Sequence, residues 1–163
     1  MVGPLLDSSK ENRQAGEPQP LESWVRGTLL GIALGLAGVF AVAAWLDPYD
    51  ELGQPRRLGT HRQIGLLPCT FREWTSKPCP SCGMTTSFAL LVRGDLLNSL
   101  RANAVGTLLA LTCLAAIPWS LACVATRRRL LFRSLELALI WFLAGFLILV
   151  LLRWAIVLML GWW

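Results

Sequence analysis

The sequence lacks the patterns that several functional classes need. No stripe of basic and aromatic residues follows a polar face, and no polar segment is long enough to read a groove, so a nucleic-acid partner is not expected. Neither half of the chain repeats the other, which argues against a transporter built from internal repeats. Ser81 and His61 are present, but nothing places a carboxylate with them, which argues against a hydrolase with a catalytic triad.

Charged residues are also scarce, at 15% of the 163 positions, whereas hydrophobic residues make up 55%. With eight tryptophans and a mean hydropathy of +0.54, this composition is wrong for a soluble domain and typical of an integral membrane protein. The formal net charge of +5 then reflects orientation in the membrane and contact with lipid headgroups. We therefore expect an all-α fold with three transmembrane helices embedded in a lipid bilayer.

The first part of the chain predicts a polar tail followed by a membrane helix. Residues 1–23 combine prolines and glycines with polar side chains and show no repeating apolar face, so we expect a disordered tail. Residues 25–46 are apolar and long enough to cross a hydrocarbon layer of roughly 30 Å. Small residues recur on one face of this helix, at Gly27, Gly31 and Gly35. They predict close packing, either against the protein's own later helices or against another membrane protein or a second copy of the chain.

A polar connection covers residues 47–103, where prolines and glycines separate short segments. Its last third predicts two short amphipathic helices, Met84 to Arg93 and Asp95 to Arg101. Gly94 ends the first helix and Asp95 caps the second. Neither helix is long enough to cross a bilayer, so we expect both either at the membrane surface or packed on the ends of the membrane helices.

Two further apolar runs complete the predicted bundle. We expect the second membrane helix at residues 104–125, an arginine-rich turn at 126–134 and the third membrane helix at 135–163. Arg153 interrupts the third run, and it either snorkels to the interface or faces another helix. The side with the N-terminal tail and the arginine-rich turn has as many lysines and arginines as the side with the polar connection. The short turn, however, has a higher density of arginine than the long connection. We therefore predict that the N-terminus is cytoplasmic and that the connection faces outside.

The connection contains three of the five cysteines together with the single histidine, namely Cys69, Cys79, Cys82 and His61. Four donors suit a closed tetrahedral zinc site, and Gly83 allows the tight turn of a zinc knuckle. A second Cys-x-x-Cys pair, which would strengthen the zinc signal, is missing. A disulfide is the competing interpretation, although three cysteines leave one unpaired. Cys113 and Cys123 lie in an apolar run and are expected to act as small hydrophobes.

Cys79 and Cys82 also suggest thiol–disulfide exchange, because they precede a predicted helix whose N-terminal end would lower a thiol pKa. The βαβ pattern of a thioredoxin-like domain does not surround them. We therefore predict an accessory or interaction subunit with a structural cysteine cluster that holds zinc or a disulfide. A membrane thiol–disulfide oxidoreductase is the alternative, and only under it are Cys79 and Cys82 catalytic.

Five short stretches carry a family resemblance: Cys69-Thr-Phe71, Pro78-Cys-Pro-Ser-Cys-Gly-Met-Thr85, Phe88-Ala-Leu-Leu91, Gly94-Asp95 and Asn103. They resemble the bacterial family called domain of unknown function 2752, whose small membrane proteins share a C-P-x-C-G-x-T motif between hydrophobic helices. The resemblance covers roughly Cys69 to Ala125. It implies a multi-helix protein of the bacterial inner membrane and carries no activity that could be transferred. Thr86 stands where the family commonly has arginine.

Overall fold

Helices make up most of the computed structural model, which describes residues 22–127 and 135–161. In chain order they are α1 (Ser23–Trp45), a 3₁₀ turn (Thr60–Ile64), α2 (Thr70–Thr75), α3 (Met84–Val92), α4 (Leu96–Thr126) and α5 (Leu135–Leu160). The three long helices α1, α4 and α5 are each long and apolar enough to cross a membrane. Within the described residues there is no strand, so the predicted all-α fold with three membrane helices is confirmed.

Two predicted segments lie almost wholly outside the described residues. These are the tail at 1–23 and the arginine-rich turn at 126–134, of which only Glu22, Ser23, Thr126 and Arg127 are described. The polar connection holds two elements that its sequence pattern did not indicate, the 3₁₀ turn and α2. Both lie in the part that carries His61 and Cys69.

Helix α4 consists of two helical parts, and between them its backbone leaves the helical conformation at Asn103. The dihedral angles there are extended, with φ −160° and ψ 102°. Asp95 caps the first part by accepting a hydrogen bond from Asn98 N over 3.3 Å. The side-chain oxygen of Asn103 caps the second part by accepting from Gly106 N over 2.9 Å. Helix α4 therefore has two parts that meet at Asn103, and each part has its own N-terminal cap.

Helix α3 packs against both α1 and α4 and forms the core with them. Leu90 of α3 is fully buried, and the ring of Phe88 stacks on Phe40 of α1 with a centroid distance of 5.7 Å. At Gly106 helices α3 and α4 come very close, because a Cβ there would lie 2.6 Å from the side-chain oxygen of Ser87. This packing fixes the connection on the end of the α1–α4 pair.

The glycine face of α1 is open. A Cβ built at Gly27, Gly31 or Gly35 meets no atom within 4 Å. Among the described residues, these glycines therefore do not pack against the protein's own helices. The face is left to lipid or to a helix of another chain.

Candidate thiol cluster and its surroundings

The three cysteines of the connection come from two segments. Cys69 is the residue before α2, and Cys79 and Cys82 lie in a turn closed by a 3.1 Å hydrogen bond from Cys82 N to Cys79 O. Gly83 follows with φ +88° and begins α3. Glycine is needed there because the angle is left-handed and because a Cβ would stand 2.6 Å from the carbonyl oxygen of Ala102. The close contact with α4 therefore fixes the position of the turn.

The sulfur atoms of Cys69, Cys79 and Cys82 all lie within 4.8 Å of one another. Cys79 and Cys82 are the closest, with their Sγ atoms 2.9 Å apart. The backbone N–H of Cys79 donates to the sulfur of Cys82 over 3.2 Å, and the Ser81 hydroxyl lies 3.4 Å from the sulfur of Cys79. All three cysteines are half-buried free thiols. A ligand that binds sulfur could therefore contact all three at once.

The close contact between Cys79 and Cys82 gives the two thiols different pKa values. Burial raises the pKa of Cys79, but hydrogen bonds with Cys82, Ser81 and Cys69 outweigh it, and the net pKa is below the ordinary value of 9.0. Burial and the contact with Cys79 raise the pKa of Cys82 to about 12. When the pair loses one proton, Cys79 therefore carries the negative charge while Cys82 stays protonated.

A cavity of about 620 Å³ opens beside the cluster, and all three cysteines line it. Arg62, Arg72 and Glu73 contribute charged groups to the same wall. His61 also lies on this wall, although its ring nitrogens are not among the donor atoms that fall within 4.8 Å of one another. The structure thus brings three of the four predicted donors together and places the fourth in the adjoining cavity.

Buried hydrogen bonds hold the cluster on the helices. The side-chain amide of Asn103 donates to the carbonyl oxygen of Cys82 over 3.0 Å. The hydroxyl groups of Thr60 and Thr86, both fully buried, lie 2.8 Å apart and join the 3₁₀ turn to α3. The cysteine turn and the wall that carries His61 are therefore both tied to the membrane helices.

Comparison with known proteins gives one match. Residues 69–117 match the model of a family described as "Protein of unknown function (DUF2752)". This segment is similar to the DUF2752 family. The resemblance predicted from the motif is thereby confirmed. No curated protein and no solved structure matches the chain.

The segment that matches DUF2752 contains the three cysteines of the cluster and Asn103, whose side chain donates to Cys82 O. Cys69 is its first residue, and it continues through Asn103 into the membrane span of α4. His61 and all of α5 lie outside it. The match therefore covers the three cysteines, whereas the fourth predicted donor lies outside the matched segment.

Helix α5 contacts the two segments that carry the cysteines, which the sequence did not predict. The indole N–H of Trp154 donates to Pro78 O over 2.9 Å, and its ring meets that of Phe71 edge-on at 6.1 Å. Arg153 donates to Ala102 O over 3.2 Å, so it faces another helix rather than extending alone to the interface. The signal that could have indicated this is a lone arginine in an apolar helix, because charges at membrane depth usually have a specific partner.

Chemically, the arrangement suits two reactions of thiols. Three sulfurs that converge on one point match the donor set that binds a soft or borderline cation such as Zn²⁺. Two sulfurs in near contact match a dithiol that can be oxidised to a disulfide. Cys113 and Cys123 take no part in either, since they lie in α4 and are not members of the cluster.

Proposed function

We propose that the protein is an accessory or interaction subunit of the bacterial inner membrane whose polar connection is shaped by a zinc ion bound to Cys69, Cys79 and Cys82. The observation that carries this proposal is that all three sulfurs of the connection lie within 4.8 Å of one another. A disulfide would use two of them and leave the third without a role. A thiolate–zinc site uses all three.

The distances support zinc after a small adjustment. Zinc–sulfur bonds of about 2.3 Å in a tetrahedral site place two sulfurs roughly 3.8 Å apart. Cys79 and Cys82, at 2.9 Å, need to separate by roughly 1 Å to reach this geometry. Their side-chain rotations can supply this movement because neither thiol is fully enclosed. His61, on the wall of the adjoining cavity, is the proposed fourth ligand.

Exposed apolar side chains beside the cluster support an interaction role. Leu67 is 84% exposed and Trp74 is 86% exposed, and these residues flank Cys69 on either side. Helix α2 is only six residues long, so a bound ion would add to the order that the contact between Phe71 and Trp154 gives this segment. We infer that zinc holds Leu67 and Trp74 in position for lipid or a membrane partner. The open glycine face of α1 offers a second place for a partner helix or another copy of the chain.

Metal analysis of the full-length protein in detergent tests the proposal. We expect one zinc ion per chain after purification under reducing conditions, and loss of that zinc in C69S, C79S and C82S. C113S is the matched control, because Cys113 is half-buried like the others but lies outside the cluster. A wild-type protein that carries no zinc, or that shows a disulfide in place of free thiols, would contradict the proposal.

The second candidate function is thiol–disulfide exchange, favoured by the 2.9 Å separation and by the lowered pKa of Cys79. The Cys79 thiolate would attack a substrate disulfide and release one substrate thiolate. Cys82, once deprotonated, would then attack the mixed disulfide, which oxidises the protein and releases the fully reduced substrate. Under this function C82S traps a covalent mixed disulfide and stays folded. Under the zinc proposal both C79S and C82S lose zinc and part of their folded abundance, and neither traps a mixed disulfide.

We propose that the N-terminus lies in the cytoplasm and the cysteine connection on the opposite side. Three spans place the connection and the C-terminal end of α5 on one side, which agrees with the contact between Trp154 and Pro78. The arginines that follow α4 lie on the other side of the membrane, together with the N-terminus. Their density supports placing that side in the cytoplasm. Protease digestion of right-side-out vesicles should cut the connection and spare an N-terminal epitope tag. Cleavage of the tag alone would reverse the orientation.

A further inference from the structure

Arg153 is the only charged residue among positions 137–163 of the chain, where the sequence is otherwise apolar. Placing an arginine in a membrane helix is unfavourable by several kcal/mol unless a specific environment receives it. A snorkelling arginine would extend toward water. The guanidinium of Arg153 is instead half-buried and donates to the carbonyl oxygen of Ala102.

The position of Ala102 brings this charge to the cluster. Ala102 precedes Asn103, whose side chain holds Cys82 O, and its own carbonyl oxygen faces Gly83. The Arg153 guanidinium therefore lies beside the turn that carries Cys79 and Cys82, because the carbonyl oxygen to which it donates also contacts Gly83. The next residue, Trp154, contacts both sulfur-bearing segments, through Pro78 before Cys79 and through Phe71 after Cys69.

The charges then balance. Three thiolates and one Zn²⁺ ion leave a net charge of −1 in a half-buried site at the membrane surface. The guanidinium of Arg153 offsets this charge in the half-buried part of the site, whereas Arg62, Arg72 and Glu73 on the cavity wall are exposed to water. A charge that is paired costs much less to bury than one that is not. If a neutral histidine completes the site, the net charge of the site does not change.

We propose that Arg153 is the positive counter-charge of a zinc–thiolate centre at Cys69, Cys79 and Cys82, and that this pairing couples zinc occupancy to the docking of α5. The proposal rests on the zinc site proposed above. Arg153 is a positioning residue here, since it acts on the centre through its charge and does not contact the ion. By thermodynamic reciprocity, zinc stabilises the docked α5 by the same factor by which Arg153 strengthens zinc binding.

Zinc affinity in charge variants of the full chain tests the coupling. Zinc dissociation constants are measured in non-ionic detergent by competition with a chromophoric chelator, for wild type, R153Q, R153K and R101Q. R153Q keeps a hydrogen-bond donor for Ala102 O but removes the charge, whereas R153K keeps the charge. Arg101 is an exposed arginine on α4 whose side chain bonds to Asn98, so R101Q is the matched control. We expect R153Q to weaken zinc binding by at least about fivefold, R153K to recover most of the affinity, and R101Q to match wild type.

Stability in the two metal states separates an electrostatic role from a merely structural one. The loss of unfolding free energy in R153Q should be larger in the zinc-loaded protein than in the reduced, zinc-free protein. Equal losses in both states, or a wild-type zinc affinity in R153Q, would overturn the inference and leave the zinc site standing. A wild-type chain that binds no zinc would overturn the proposed function itself. If R153Q does not fold, the zinc affinity of R153K tests the inference in its place. A folded R153K that binds zinc as weakly as a cysteine variant would contradict the role of the positive charge.

Discussion

The side-chain amide of Asn103 donates a hydrogen bond to the backbone carbonyl of Cys82 across 3.0 Å. The oxygen of the same side chain accepts from Gly106 N and so begins the membrane-spanning part of α4. Asn103 itself is fully buried. One amide group therefore joins the start of a helical segment to the cysteine turn.

Replacing Asn103 by alanine should reduce stability and zinc content together. Loss of the cap removes about 1 kcal/mol, and loss of the donor to Cys82 O removes about 1 kcal/mol more. N98A is the control, because Asn98 is a half-buried asparagine of the same helix whose side chain bonds only to Asp95 and Arg101. Denaturant unfolding in detergent, with metal analysis of the same samples, measures both effects. A variant N103A that keeps wild-type zinc content would show that the turn does not depend on this amide.

Substituting Gly83 by alanine should be much more damaging than the same change at Gly53. Both glycines have positive φ, +88° and +73°, so both variants lose roughly 1–2 kcal/mol to backbone strain. At Gly83 the new Cβ also meets Ala102 O at 2.6 Å, whereas at Gly53 nothing lies within 4 Å. We expect the backbone clash to add about 1–3 kcal/mol in G83A, visible as a difference in unfolding free energy. Equal losses would mean that α4 can move away from the turn.

The two thiols of the Cys-x-x-Cys turn should differ in reactivity. In the reduced, metal-free protein we expect iodoacetamide to modify Cys79 at neutral pH and to leave Cys82 unmodified, because the pKa of Cys82 is raised to about 12. In C79S, Cys82 loses the neighbour that opposes its ionisation and should react at lower pH than in wild type. Peptide mass spectrometry after timed alkylation measures both rates. Preferential modification of Cys82 in wild type would reverse the assigned acidities.

The capping carboxylate Asp95 should make stability depend on pH in acid. Hydrogen bonds from Asn98 hold the pKa of Asp95 below its ordinary value of 3.8. A carboxyl whose pKa is depressed in the folded state stabilises the fold above its unfolded-state pKa, and this contribution is lost as pH falls through the folded-state pKa. Unfolding measured between about pH 2 and pH 5 should therefore show a decline that is smaller in D95N.

Tyr49 provides an independent check on the same carboxylate. Burial and the charge of Asp95 raise the pKa of Tyr49, whose hydroxyl donates to Asp95 over 3.3 Å. Tyr49 is the only tyrosine in the chain, so its ionisation can be followed by ultraviolet absorbance without interference from another tyrosine. In D95N we expect the pKa of Tyr49 to fall toward the ordinary value of 10.0. An unchanged value would mean that the two side chains do not interact.

Much of the fold follows from local sequence chemistry. Three apolar runs of sufficient length indicate the membrane helices, since the hydrocarbon layer dictates both length and composition. Asp95 and Asn103 are residue types that favour helix N-termini, and both accept such capping hydrogen bonds in the structure. Helix α2 is harder to predict because six residues give too little pattern to separate a helical turn from a loop.

The cluster could be predicted only in part, because its completion depends on long-range packing. The spacing of Cys79 and Cys82 places two sulfurs together in any tight turn. The approach of Cys69 depends on how α2 lies against that turn, and no local pattern encodes this. The contact of Arg153 with Ala102 spans 51 residues and requires α5 to fold back along α4. The sequence shows that an arginine lies in an apolar helix, but it does not show which helix receives it.

The contact between Trp154 and Pro78 joins residues 76 positions apart, and this has a consequence for biogenesis. A chain is made from its N-terminus, so the cysteines leave the ribosome well before the last helix has been synthesised. Until that helix enters the bilayer, the nascent sulfurs lack one of their neighbours and remain open to oxidases, reductases and metal carriers. Docking of the last helix then adds this neighbour, while the cavity beside the three cysteines keeps the sulfurs accessible in the folded protein.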